Sequence, residues 1–161
     1  MKYFIDTEFI EYPCTIDLIS IGIVREDGKE LYCISNEFDS SEASDWVKNN
    51  VLTKLPDARE CNLYMSRETI KGMILEFTRK DPNPEFWGYY CDYDWVVFCW
   101  LFGSMVDLPK KFPMYCRDLK QLCDSIGNPK LPEQGEGEHN ALEDARWIRS
   151  SYEYLFHKGL T

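Results

Sequence analysis

Three β-rich runs are packed into the first 35 residues, and this crowding limits the possible folds more than any other feature. Met1–Phe9 reads as a strand from the first residue, and Thr15–Arg25 is a second strand rich in Ile and Val. Asp27-Gly28 follows, with Lys29–Ser35 as the partner strand. An Asp-Gly pair between two such runs is a strong hairpin signal. Strands joined by turns this short lie antiparallel, so the sheet begins as a meander.

The pattern then changes to alternation. Ser44–Val51 reads as a short helix, and Ser66 is placed to cap a helix from Arg67 to about Arg79. Glu85–Tyr90 reads as a buried strand, Tyr93 to about Phe102 as a helix, and Pro113–Cys116 as a short strand. Asp118 would cap a helix running to Gly127. After a loop from Asn128 to Glu138, a last helix runs from about Asn140 to His157, with Ala141, Ala145, Ile148, Tyr152 and Leu155 on one stripe. Alternation of this kind predicts parallel strands with helical crossovers. The expected architecture is α/β: a mixed five-stranded sheet, three strands antiparallel and the later ones parallel, flanked by helices.

At 161 residues, 44% of them apolar, the chain is expected to form a single domain over 1–161 with a substantial core. No apolar run approaches the ~20 residues that span a bilayer, and no leader is apparent, so no membrane partner is expected and the reading is cytoplasmic. The seven cysteines are odd in number and form no C-x-x-C pair, which points to free thiols. A net charge of −10 argues against a protein that coats nucleic acid through basic side chains. It does not exclude an enzyme that meets phosphates through bound cations.

Three short stretches carry chemistry. In Phe4-Ile5-Asp6-Thr7-Glu8-Phe9 strand alternation puts Asp6 and Glu8 on one face. Paired carboxylates repel unless a cation holds them, and hard divalent ions prefer such oxygen ligands. Alone, D-x-E is also common on plain surfaces. In Cys91-Asp92-Tyr93-Asp94-Trp95 an acidic pair opens an apolar helix; either Asp is a natural cap, and a strand-to-helix junction is also where α/β sheets place functional groups. In His139-Asn140-Ala141-Leu142-Glu143-Asp144 one of only two histidines stands at a helix mouth, and Asp144 borders the buried stripe. A carboxylate there is costly unless it is paired or bound to metal.

Taken together, D-x-E on a first strand, an Asp opening a middle helix and H-x-x-x-x-D opening the last helix resemble the DEDDh 3′–5′ exonuclease superfamily. The stretches Tyr3–Glu11, Leu18–Gly22, Tyr93–Val97 and His139–Ala145, with further similarity at Trp46-Val47 and from Val51 to Pro56, look closer still to small single-domain bacterial and phage 3′–5′ exoribonucleases. The resemblance implies a ribonuclease H-like fold and two divalent metal ions, Mg²⁺ or Mn²⁺. It implies acidic ligands at Asp6, Glu8, Asp94 and Asp144, with Asp94 preferred to Asp92, and a general base at His139.

The expected substrate is RNA with a free 3′ end. DNA under the same chemistry, or a silent nucleic-acid-binding domain, are the rival readings. Thr7, Phe9 and Trp95 are candidates for gripping the terminal nucleotide, with core packing as the alternative for Phe9 and Trp95. Lys110, Lys111, Arg117 and Lys120 form the densest basic cluster, better read as a solvated surface than as a phosphate track. Related enzymes are often homodimers, although no stripe in this sequence demonstrates one.

Overall fold

The β-rich N-terminal third forms the centre of the sheet. The structure, a computed structural model, describes residues 1–59, 61–135 and 137–159, so the last two residues of the expected 1–161 domain, Glu60, and Glu136 of the 128–138 loop lie outside the described residues. Strands β1 (Lys2–Tyr12), β2 (Thr15–Arg25) and β3 (Glu30–Ser35) make the antiparallel meander. Next come helix α1 (Asp45–Asn50), strand β4 (Tyr64–Met65), helix α2 (Arg67–Phe77), strand β5 (Glu85–Gly88) and helix α3 (Asp92–Trp100). Strand β6 (Arg117–Asp118), helix α4 (Leu119–Ser125) and helix α5 (Ala141–His157) complete the chain.

The sheet has six strands in the order β4-β3-β2-β1-β5-β6, with β4, β5 and β6 each parallel to its neighbour. The mixed α/β architecture is therefore as expected, but with one strand more than five. The extra strand, Tyr64–Met65, is two residues long and too short to show a period. The last strand falls at Arg117–Asp118 rather than at 113–116. Pro113 has no N–H to give a ladder, and Asp118 ends the strand by capping α4, accepting the Lys120 and Gln121 N–H groups at 2.6 and 3.2 Å.

Alternation along the strands sorts the core into two layers. Tyr3, Ile5, Ile21, Ile23 and Cys33 face α2 and α3, meeting Ile70, Ile74 and Phe98. Phe4 and Trp87 face the other way, toward Ile148 and Leu155 of α5 and Leu119 and Cys123 of α4. A third cluster, Ile10, Ile19, Ala43 and Val51, holds α1 against the far end of the β1–β2 hairpin. All seven cysteines are free. Among the described residues no helix is long and apolar enough to cross a membrane.

Strand β1 does not end after its two carboxylates. It runs on to Tyr12, paired throughout with β2 as far as Tyr12 opposite Thr15. Its other edge is different, because β5 pairs only with Lys2, Tyr3 and Phe4. Beyond Phe4 that edge is left to the turn at Tyr90 (φ 56°) and the start of α3. Asp6 and Glu8 therefore stand mid-strand, just past the point where β5 stops.

Candidate active site

A cleft of about 680 Å³ lies along this open edge, lined by Asp6, Glu8, Phe9, Trp46, Asp94, His139 and Asp144, among others. A slightly larger hollow, about 750 Å³, opens at the opposite end of β1 beside Arg25, Phe77 and Arg79. There Arg25 is paired with Asp27 and Arg79 with Glu76.

Each wall of the cleft is placed by a local cause. Asp94 sits in the first turn of α3, and its Oδ1 accepts the Thr7 N–H at 2.7 Å and the Thr7 hydroxyl at 2.6 Å. These bonds tie the helix to the open edge of β1 and leave Asp94 buried. Asp92, two residues earlier, is exposed, so Asp94 is the inward acid of the pair.

Asp144 is brought in by α5, which Asn140 caps by accepting the Leu142 and Glu143 N–H groups at 3.1 and 3.3 Å. The first turn of α5 lies directly on β2 at Gly22, where an added Cβ would stand 2.2 Å from the Ala141 carbonyl oxygen. Only glycine permits that approach, and it sets Asp144 beside Glu8. The Asp144 carboxylate also accepts the His139 N–H at 3.0 Å and the Gln134 side-chain amide.

The ligand atoms of Glu8, His139 and Asp144 lie within 4.8 Å of one another. Asp6 and Asp94 are near enough to load this trio with further negative charge. Burial, then the charges of Asp94, Asp144 and Glu8, hold the Asp6 carboxyl well above the ordinary carboxylate range. Burial, then Asp144 and Asp94, push Glu8 up to about 8. Burial raises Asp94 to about 6, against the lowering effect of the Thr7 hydrogen bonds, and raises Asp144 to about 6, against that of the His139 N–H. Four buried or half-buried carboxylates, all raised by burial and two of them, Asp6 and Glu8, also by their neighbours' charges, form a site short of positive charge. Their all-oxygen donor set, with one imidazole at the rim, fits hard divalent cations.

The remaining candidates separate. Thr7 directs its hydroxyl onto Asp94, so it braces an acid of the site. Phe9 does line the cleft, from the side of β1 that faces α3, where Thr7 also meets Asp94. Its ring meets the exposed Tyr93 edge-on at 5.9 Å.

Trp95 does not reach the cleft. It is buried, stacked on Phe98 at 4.9 Å and beside Phe86, because one residue along a helix turns the side chain by about 100° away from Asp94. Three residues of the basic cluster are used within the fold: Lys111 donates to the Thr78 and Asp81 carbonyls, Arg117 pairs with Glu85, and Lys120 pairs with Asp124, while Lys110 is exposed.

Two neighbours of the site were not read as site residues from the sequence, although Trp46 lies in a stretch that carries the family resemblance. Gln134 comes from a Pro- and Gly-rich loop, and Trp46 from the six-residue α1, where its ring meets that of His139 at 4.8 Å.

The chain is similar to known exonucleases. Residues 1–156 match the family described as the 3′-5′ exoribonuclease Rv2179c-like domain. A 3′-5′ exoribonuclease of Mycobacterium tuberculosis strain H37Rv is 45% identical over 148 residues, covering 91% of this chain and 88% of its own; its counterpart in strain CDC 1551 gives the same figures. The catalytic unit of Neurospora crassa Pan2, with its protease and nuclease domain, superposes with a TM-score of 0.55 at 15% identity, over 99% of this chain and 28% of that one. A full-length 3′-exonuclease superposes with a TM-score of 0.52 at 11% identity, over 99% of this chain and 82% of that one. At such identities the likeness is one of fold, and it is the ribonuclease H-like exonuclease fold that the sequence led us to expect.

Proposed function

The chain belongs to the Rv2179c-like 3′-5′ exoribonuclease family, and from that membership we propose that it is a metal-dependent enzyme that removes nucleotides from the 3′ end of RNA. The observation that carries the proposal is the meeting of Asp6, Glu8, Asp94, Asp144 and His139, drawn from one strand, two helices and a turn, on one cleft of an acidic protein. RNA is proposed over DNA because the 45% identical relatives are named exoribonucleases. One domain, the family-matched 1–156, carries the whole activity in this reading.

Asp6, Glu8, Asp94 and Asp144 would hold two divalent cations, Mg²⁺ or Mn²⁺. When bound, these supply the charge that offsets the carboxylates, draws in the scissile phosphate and stabilises the attacking and leaving oxygens. Asp6, whose charge couples to the other three acids, is the member shared across the site. Thr7 keeps Asp94 ionised and aimed by donating two hydrogen bonds to it. His139 takes a proton from the attacking water at a ring nitrogen, the role that a positioned imidazole most often fills in acid–base catalysis. Its own N–H, held on Asp144, ties the base to a proposed metal ligand. Phe9 and Tyr93 offer an aromatic wall for the terminal base, a contact of about 1–3 kcal/mol where such stacking is used.

The test is incubation with 3′-end-labelled linear RNA, circular RNA and linear DNA, each with Mg²⁺, Mn²⁺ or EDTA. The proposal expects stepwise loss of linear RNA from its 3′ end with metal, and no attack on circles or in EDTA. Cleavage of circular RNA would replace the exonuclease reading with an endonuclease one. His139→Ala should fold and bind cation yet lose at least about a hundredfold in turnover, the usual contribution of a positioned base.

A further inference from the structure

We infer that Trp46 is a positioning residue for His139, fixing the orientation of the imidazole in the cleft so that its loss slows turnover without weakening substrate binding. The inference rests on the proposed role of His139 as base. The backbone of His139 is held from two sides: its N–H is on Asp144 at 3.0 Å, and the preceding carbonyl, that of Glu138, accepts the Lys54 ammonium. His139 also has a φ of 66°, a left-handed conformation that a side-chain-bearing residue keeps only where its surroundings impose it.

The ring itself is less constrained. Among the described residues its aromatic neighbour is Trp46, with ring centroids 4.8 Å apart and planes at 76°. Edge-to-face pairing at this separation is a favoured geometry for two rings. A base must stay in reach of the proton it removes, and an imidazole unsupported at the mouth of a cleft is free to turn to solvent.

Trp46 is well placed for this task and poorly placed for packing. It is 54% exposed on α1, a helix with no buried residue. Yet α1 is a firm mount. Ser44 caps it by accepting the Val47 N–H at 3.2 Å, and Val47 packs against the Ile10, Ile19, Ala43 and Val51 cluster. From Val51 the chain turns through Leu52–Lys54, so one short segment supplies both the indole that meets the His139 ring and the ammonium that holds the carbonyl before it. The competing role is direct stacking of Trp46 on a base, since Trp46 lines the same cleft.

Steady-state kinetics on a short single-stranded RNA with Mn²⁺ separate the two roles, using wild type, Trp46→Ala, Trp46→Phe, His139→Ala and the Trp46→Ala/His139→Ala double variant. The inference expects Trp46→Ala to lower kcat roughly three- to tenfold, the range an aromatic pair is worth, with KM unchanged. Trp46→Phe should recover most of the loss. Trp46→Ala should cost nothing more once His139 is gone. A raised KM with unchanged kcat, or an equal loss in the His139→Ala background, would overturn it. Full activity in His139→Ala alone is a separate result: it removes the base assignment, and with it the reason for positioning the ring.

Discussion

Thr7 serves an acid that its own strand does not carry. Both its N–H and its hydroxyl reach Asp94, 87 residues away in sequence, in a buried setting. Thr7→Val keeps the shape and removes the hydroxyl donor. It should cost about 1–3 kcal/mol in thermal unfolding, as expected when a buried charged acceptor loses a partner, and should lower kcat.

The carboxylates set the opposite kind of balance. Asp6 is raised well above its ordinary range by burial and by three neighbouring acids, Glu8 to about 8, and Asp94 and Asp144 to about 6. The folded chain therefore binds protons more tightly than the unfolded chain. Without metal, the contribution of these four acids to stability is fullest below about pH 4, the ordinary carboxylate value, and declines as pH rises through 6 toward 8. Melting temperatures in EDTA should fall across that window, and added Mn²⁺ should recover more at pH 8 than at pH 6. Asp6→Asn should melt higher than wild type in EDTA while losing activity with metal, a stability gain bought at the site.

Asp6 and Glu8 were legible because strand alternation is rigid arithmetic. Thr7's bond to Asp94 was not, because no local pattern encodes a contact across 87 residues. Trp95 was ambiguous for a different reason: α3 is apolar nearly all round, with Val97, Phe98 and Cys99 all buried, so its sequence does not mark which face meets the sheet.

At the scale of elements, the site depends on how closely α5 sits on β2. Gly22 has the Ala141 carbonyl where a Cβ would go. Gly22→Ala should push the start of α5 off the sheet, costing about 1–3 kcal/mol as overpacking does, and should move Asp144 and His139 together. Thermal unfolding and activity measured on the same preparation check this: activity should fall even at temperatures where the variant is fully folded. The α5 stripe itself was plain in the sequence, with Ala141, Ala145, Ile148 and Leu155 all buried. That Gly22 faces it was not, since a glycine within Ile-Gly-Ile reads equally as a weak point of a strand.

The short elements were the hardest to read. Tyr64–Met65 and Arg117–Asp118 owe their strand state to neighbours already in the sheet, so their own residues carry little of it. Length of β1 was misread for a related reason. Two acids appear to close a buried strand, yet the β2 partner extends it to Tyr12 while the free edge beyond Phe4 gives the acids their cleft.

For the molecule as a whole, a net charge of −10 and a cleft lined by carboxylates set a phosphate chain against a surplus of negative charge. In its densest cationic segment Lys111, Arg117 and Lys120 are engaged with Thr78, Asp81, Glu85 and Asp124. In the proposed reading, attraction for RNA comes from cations in the cleft and from aromatic contact with the terminal bases. All later steps depend on those cations being bound where the four acids meet. Titration of the metal-free protein with Mn²⁺, followed by electron paramagnetic resonance, tests this most directly. The account predicts two Mn²⁺ per chain for wild type and loss of binding in Asp6→Asn. Absence of Mn²⁺ binding by wild type, or equal binding by both proteins, would contradict it.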